Sequence, residues 1–434
     1  MLFCACRAAD VLNAFVGLWL VPKYVDPSEL GAVMPLTNFA NFLAIPIAAF
    51  ANTFRNELSR LSIGCEFGKL KTLMRGVFVA TALFLIIAIV VARFLLPAFL
   101  ERIRIVEGSL GLVIIAASFV SAIAPIYPNA LQALKKFKTQ SVLSIINAPV
   151  RLITMLIAMP FRAITGYFIG QASVPVFTIA ASVLSLKKEL STPAEPYWNR
   201  ETFKKFSVLF VLFLSSGLAS GFFILVESIV LRQRLPDLDS AGYYMATRFS
   251  EIASCLAATL SFTIFPFAAE KSAAGEDTRP LVWKAILVNG VFCLVLALPF
   301  ILEGKYLLSI LPHGDQYADY WWSVPWLIGI TFITSIIGFF TTAEISANRF
   351  GFMKWMIPLD LTYPILLLLV TGYGHYASLI PVSWADFLNA HNIRSLGTIL
   401  IWTTTINVIK AFACITQTIK QRTKNHHEQS AFKR

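Results

Sequence analysis

Seven ionisable residues stand inside long apolar runs of this chain: Arg7, Asp10, Arg151, Glu227, Arg248, Glu251 and Asp360. On insertion scales a charge at the centre of a membrane helix costs about 2.5–3.5 kcal/mol, so each needs a compensating neighbour. Two arrangements supply one. A fixed ion pair between helices holds a bundle together, whereas a water-filled cavity leaves the charge for an anionic partner or a coupling ion. Arg248 and Glu251 lie three apart in GYYMATRFSEIASC, so they share a helix face and can pair. They would stand roughly 9 to 15 Å along the helix from its end. Arg7 and Asp10 repeat that spacing near the start of the chain. Arg151 is the sharpest case, because it is near the middle of TQSVLSIINAPVRLITMLIAMPF with no acid on its own helix. Glu227, near the end of its run, and Asp360 are the remaining coupling or charge-pair candidates. Lys410 is close enough to a span end that it is expected to snorkel.

The elements that must position these residues are membrane helices. The chain is 57% hydrophobic and 14% charged, with a mean hydropathy of +0.70. Soluble domains carry about 25% charged residues. Residues 108–134, 163–186 and 206–226 contain no Asp, Glu, Lys or Arg. Each run is long enough to cross a hydrocarbon core of roughly 30 Å as a helix. A buried core helix explains one such run but not a succession of them. Windows of about 19 residues place spans near 3–21, 31–53, 76–97, 108–134, 139–161, 163–186, 206–230, 240–269, 285–302, 321–343, 355–372 and 395–416. The first apolar stretch holds Arg7 and Asp10 and has no small-residue cleavage site, so it reads as a span and not a cleaved leader.

Charge sets the orientation. Most of the 36 Lys and Arg residues fall in alternate loops and the tail, as in Arg55, Arg60, Lys69, Lys71 and Arg75, then Lys135, Lys136 and Lys138, then Lys420 onward. By the positive-inside rule these loops and both termini are cytoplasmic. The same rule accounts for the net charge of +12, with no nucleic-acid partner implied. The polar stretch KKELSTPAEPYWNRETFKK (187–205) reads as an inner linker between a first lobe, 1–186, and a second, 206–416, followed by a basic tail, 417–434. The chain also repeats itself. DPSELG at 26–31 answers DLDSAG at 237–242, and a shift of 213 lays 133–150 over 346–363. In that register Lys136 meets Arg349 and Asn147 meets Asp360. Duplicated halves are a transporter signature, because the site lies where the halves meet.

Catalytic motifs are missing from the sequence: it has no Walker lysine loop, no Gly-x-Ser-x-Gly elbow and no HExxH. No metal-ligand spacing or cofactor motif is present, and no structural disulfide is expected. Without an ATPase motif, uphill movement of a substrate must draw on an ion gradient, a partner or the substrate's own gradient. A membrane polymerase or ligase would carry a large outer loop with catalytic residues, and the longest here, 373–394, is modest.

Two segments carry a family likeness. LQALKKFKTQSVLSIINAPVRLITMLI (131–157) resembles the fourth-to-fifth span junction of polysaccharide flippases in the multidrug/oligosaccharidyl-lipid/polysaccharide (MOP) exporter superfamily. VESIVLRQRLPDLDSAGYYMATRFSEIASCLAATLSFTIFPFAAE (226–270) is similar to the next such landmark: an acid late in the seventh span, an Ala-Gly-Tyr turn, and a basic residue in the eighth. The resemblance implies an all-α membrane fold of about twelve spans in two lobes around a central cavity. It implies an inner-membrane flippase for undecaprenyl-diphosphate-linked oligosaccharide, with a proton or sodium ion as possible coupling partner. Arg7, Arg151 and Arg248 would then meet the diphosphate. Related lipid II flippases add a basic residue near the second span. Here that span offers Thr37, Asn38 and Asn41, with Arg55 only at its end. A cation-coupled drug exporter of the same fold is the alternative, favoured by the acids and disfavoured by the arginines.

Overall fold

A backbone surrounded by hydrocarbon must satisfy its own hydrogen bonds, which leaves helices and closed barrels as spanning structures. The computed structural model describes residues 14, 16–63, 67–104, 108–124, 126–134, 136–273, 276–347, 349–370 and 396–432, and among these there is no strand. Helical residues 16–24 form α1. The first half continues with α2 (Pro27–Ile63), α3 (Phe67–Arg102), α4 (Gly108–Ile123), α5 (Ile126–Ala133), α6 (Phe137–Ala158), α7 (Ala163–Ser185) and the single turn α8 (Lys187–Leu190). The chain goes on through α9 (Arg200–Arg234), α10 (Asp237–Ala273), α11 (Arg279–Ser309), the turn α12 (Gly314–Tyr317), α13 (Ser323–Ser346), α14 (Met353–Val370) and α15 (Leu396–Phe432). Among the described residues, seven helices are both long and apolar enough to cross a membrane.

Within the described residues the expected spans fall on helices, with one change, and most of the first expected span, 3–21, lies outside the described residues. The stretch 108–134 is two helices, α4 and α5, and Pro128 sits in the first turn of α5, where a missing amide proton loses no bond. The outward faces show what solvent the fold requires. Leu83, Ile86, Ile87, Val90 and Phe94 stand out from α3, as do Leu287, Val291, Leu294, Val295 and Leu302 from α11, each more than half exposed. Stripes of that extent do not persist in water. The chain is an integral, all-α membrane protein.

Chain contacts divide the molecule into two compact units, Met1–Gln233 and Arg234–Arg434. In the first, α2 lies against α3 and the α4–α5 pair, which in turn lie against α7, and α6 lies against α7. In the second, α10 lies against α11 and α13, α13 against α15, and α14 against α15. Taken in order, the neighbour pattern is the same. The sequence repeat is thus a repeat of helix adjacency.

Glycines set the closest approaches. A β-carbon on Gly166 would come within 2.6 Å of the backbone at Ala158 and Met159, and one on Gly170 within 2.2 Å of the Met155 side chain. These two glycines, one turn apart, let α7 fold back directly onto α6. Gly217 and Gly221 do the same for α9 against Ile45 and Phe42 of α2. The polar stretch after α7 is no free tether. Lys71 donates to the Thr192 carbonyl at 2.8 Å, Thr72 to the Glu195 carbonyl at 2.6 Å, and the Glu195 amide to Gly68 at 3.2 Å, so the segment is strapped along the start of α3.

Candidate functional site

The N-terminus of α10 is capped electrostatically by Asp237 and Asp239 in its first turn. Two turns further on, Tyr244, Arg248 and Glu251 come round onto one face. One Arg248 Nη1 donates to both Glu251 carboxylate oxygens, at 2.7 and 2.9 Å, and the guanidinium carbon lies 4.6 Å from the Tyr244 ring centroid. Stacking and ion pairing together fix a side chain that otherwise has many rotamers. The burial is unequal. Arg248 is 9% exposed by side chain and Glu251 40%, so the carboxylate end is the open end.

Asp360 is held differently. Its carboxylate, 2% exposed, pairs with the Lys410 ammonium of α15, 10% exposed. Beside it the hydroxyls of Tyr363 and Thr403 share a hydrogen bond of 2.7 Å, and the Asn407 amide donates to the Thr403 carbonyl at 2.8 Å. Lys410 does not snorkel, as its position near a span end had suggested; Asp360 gives the ammonium a partner inside the helix pair. The repeat register placed Asn147 opposite Asp360, and Asn147 does the corresponding job: its carbonyl oxygen accepts from Thr178 of α7 at 3.1 Å. In each half, then, polar contact ties the fifth long helix to the sixth.

Arg151 is half-buried in α6, two residues beyond Pro149, which withdraws one intrahelical donor. It belongs to the first unit, whereas Arg248, Glu251 and Asp360 belong to the second. Glu227 is only 6% exposed in α9, deeper than an acid that merely reaches for the interface. Arg7 and Asp10 lie outside the described residues, as does the loop 373–394. Thr37 turns its hydroxyl back to the Val33 carbonyl at 2.8 Å, so it adds no cation to the second span.

Sequence reasoning missed Arg232. It is 3% exposed and reaches two separate carbonyls, Ser28 at 2.9 Å from Nη2 and Ile103 at 3.2 Å from Nε, tying the end of α9 to α2 and α3. Its place in a polar stretch beside Arg234 and Asp237 hid it. The α15 network had a readable signal, since Thr403, Asn407 and Lys410 recur at helical spacing on one face.

No family model and no curated relative matches the sequence. Solved structures do match the fold. A multidrug resistance MATE family transporter of the MOP superfamily, in an inward-facing conformation, aligns with a TM-score of 0.63 at 11% identity, covering 97% of this chain and 96% of that one. The lipid II flippase MurJ, inward closed, aligns at 0.65 and 13% identity, over 96% of this chain and 87% of its own. A MOP superfamily transporter from Pyrococcus furiosus, described as having a binding pocket of reverse polarity that suggests a different function, aligns at 0.58 and 10% identity, over 97% and 95%. The chain has the fold shared by MATE exporters and the MurJ flippase, two kinds of MOP superfamily transporter.

Proposed function

We propose that this protein is a flippase, moving undecaprenyl-diphosphate-linked oligosaccharide across the inner membrane of a bacterium for surface polysaccharide such as O-antigen and lipopolysaccharide. The observation that carries the reading is Arg248, a buried guanidinium positioned by Tyr244 and Glu251 inside a membrane helix of a transporter fold. A planar guanidinium offers two parallel donors to a diphosphate, and Arg151 supplies a second cation at comparable depth in its own helix. In this reading residues 1–186 and 206–416 are the lobes that alternate access, the 187–205 segment and both termini are cytoplasmic, Arg7 is a third cation for the diphosphate, and Asp10 is a coupling or charge-pair acid. A proton or sodium gradient drives the cycle, with Glu227, Glu251 and Asp360 as the acids that could sense it.

The drug-exporter alternative needs unmatched acids for cationic substrates. It is disfavoured because the most buried in-span acid, Asp360, is already neutralised by Lys410. A relative of this fold with a pocket of reverse polarity is described as having a different function, which supports using charge sign to choose between substrates.

The test is flipping of a fluorescent lipid-linked oligosaccharide in proteoliposomes. Arg248→Ala is expected to abolish flipping at normal abundance. Arg151→Lys is expected to keep partial activity and Arg151→Gln very little, because Lys reproduces the charge without the fork. Wild-type flipping by both Arg248→Ala and Arg151→Gln would remove the arginines from the site, and no flipping by wild type, or efflux of an organic cation that depends on Glu227, would replace this reading with the alternative.

A further inference from the structure

In the first unit a cleft of about 390 Å³ lies between the start of α3, the α4–α5 break and the end of α7. Its lining is apolar, including Phe78, Val79 and Val183, except for Lys71, Arg75 and Tyr127. The volume is within the range of about 300–1,000 Å³ typical of small-molecule sites. Along α3 the chemistry changes within one turn. Lys69, Lys71 and Arg75 give way to Phe78 and Val79, which are 57% and 58% exposed and begin the outward stripe of Leu83, Ile86 and Ile87. That transition marks the boundary between water and hydrocarbon.

The charges at the cleft are not internally balanced. Nearby Lys136 is matched by Glu189 at 2.8 Å, but among the described residues no acid pairs with Lys71 or Arg75. The Glu195 side chain sits against Gly68, about a turn before Lys71. Lys71 spends one donor on the Thr192 carbonyl and keeps two, and Arg75 is exposed.

We propose that this cleft binds an anionic membrane phospholipid, its phosphate held by Arg75 and Lys71 and the first part of an acyl chain lying along Phe78, Val79 and Val183. Basic pockets between membrane helices suit such head groups. A zwitterionic lipid brings an ammonium that the two cations repel, so the site prefers net negative charge. The bound lipid would touch α3 and α7 and, through Lys71, brace the strap. The inference stands whether or not the chain moves lipid-linked sugars.

Native mass spectrometry of the full-length protein tests it, with equimolar long-chain phosphatidylglycerol and phosphatidylcholine added to the micelles. Wild type is expected to retain phosphatidylglycerol several-fold over phosphatidylcholine. Arg75→Gln should erase that preference, and Val183→Trp, which fills the cleft from an exposed position, should lower retention of both lipids. Dibutyryl-phosphatidylglycerol, with the head group and almost no chain, should fail to compete. Equal retention of the two lipids by wild type, undiminished phosphatidylglycerol in both variants, or full competition by the short-chain lipid would each overturn the proposal.

Discussion

Removing one partner of the Asp360–Lys410 pair should be far more damaging than removing both. The side chains are 2% and 10% exposed, so no water stands ready to solvate whichever charge is left. Asp360→Asn keeps the shape and strands the ammonium, at a cost of about 3–5 kcal/mol for a broken buried pair. Lys410→Met strands the carboxylate and is also expected to destabilise. The double variant leaves two uncharged side chains of similar volume and should lose only about 1–2 kcal/mol, giving a coupling energy on the order of 3 kcal/mol. The measurement is equilibrium unfolding in mixed micelles of dodecyl sulfate and a mild detergent, followed by helicity, for wild type, both single variants and the double variant. Thr403→Val removes the neutral hydrogen bond to Tyr363 and should cost about 1 kcal/mol, which calibrates the series. Additive single-variant losses, with the double no more stable than Asp360→Asn, would refute the claim that these two charges compensate each other.

Gly166→Ala should destabilise by about 1–3 kcal/mol because its new methyl meets backbone, whereas Gly217→Ala, which meets only an Ile45 methyl group, should be milder; detergent melting curves compare them. Arg232→Lys cannot reach the Ser28 and Ile103 carbonyls together, and the abandoned buried acceptor should cost about 1–3 kcal/mol. Glu189 predicts a pH effect. Burial alone would raise its carboxyl, but the hydrogen bond from Lys136, its own backbone amide and the charges of Lys136 and Lys188 hold it below the ordinary value near 4.5. A depressed carboxyl contributes stability above its unfolded value and loses it as the pH falls through the folded one. Hydrogen-exchange protection at 187–192, corrected for the intrinsic pH dependence of exchange, should therefore be high at neutral pH and fall on acidification through and below that value. Lys136→Met should remove the pH step.

The helices were legible because hydrocarbon leaves a chain so few choices. Lengths and apolar runs located α6, α7, α13 and the membrane part of α15 to within a few residues. What the α3–α4–α5 region lacked was a way to see that 108–134 breaks, since two prolines in an apolar run are compatible with either a kink or a division. Spacing of three residues announced the Arg248–Glu251 pair, because helix geometry is local. The partner of Asp360 was not readable in the same way: Lys410 is fifty residues further along the chain, and hydropathy alone made a lysine near a span end look like a surface residue. Arg232 was hidden for a related reason. Its two acceptors are main-chain carbonyls, which every residue possesses and no sequence pattern marks.

The two polar ties, Asn147 to Thr178 and Asp360 to Lys410, occupy matching addresses in a duplicated design but differ in kind. One tie is neutral and the other is charged. A neutral tie can slip: sliding α6 past α7 trades one weak bond for another, or for a passing water. A charged tie cannot, because every intermediate position exposes two full charges to hydrocarbon. By their polar ties alone the second pair resists sliding more than the first, whereas α6 and α7 are held by the close glycine packing at Gly166 and Gly170.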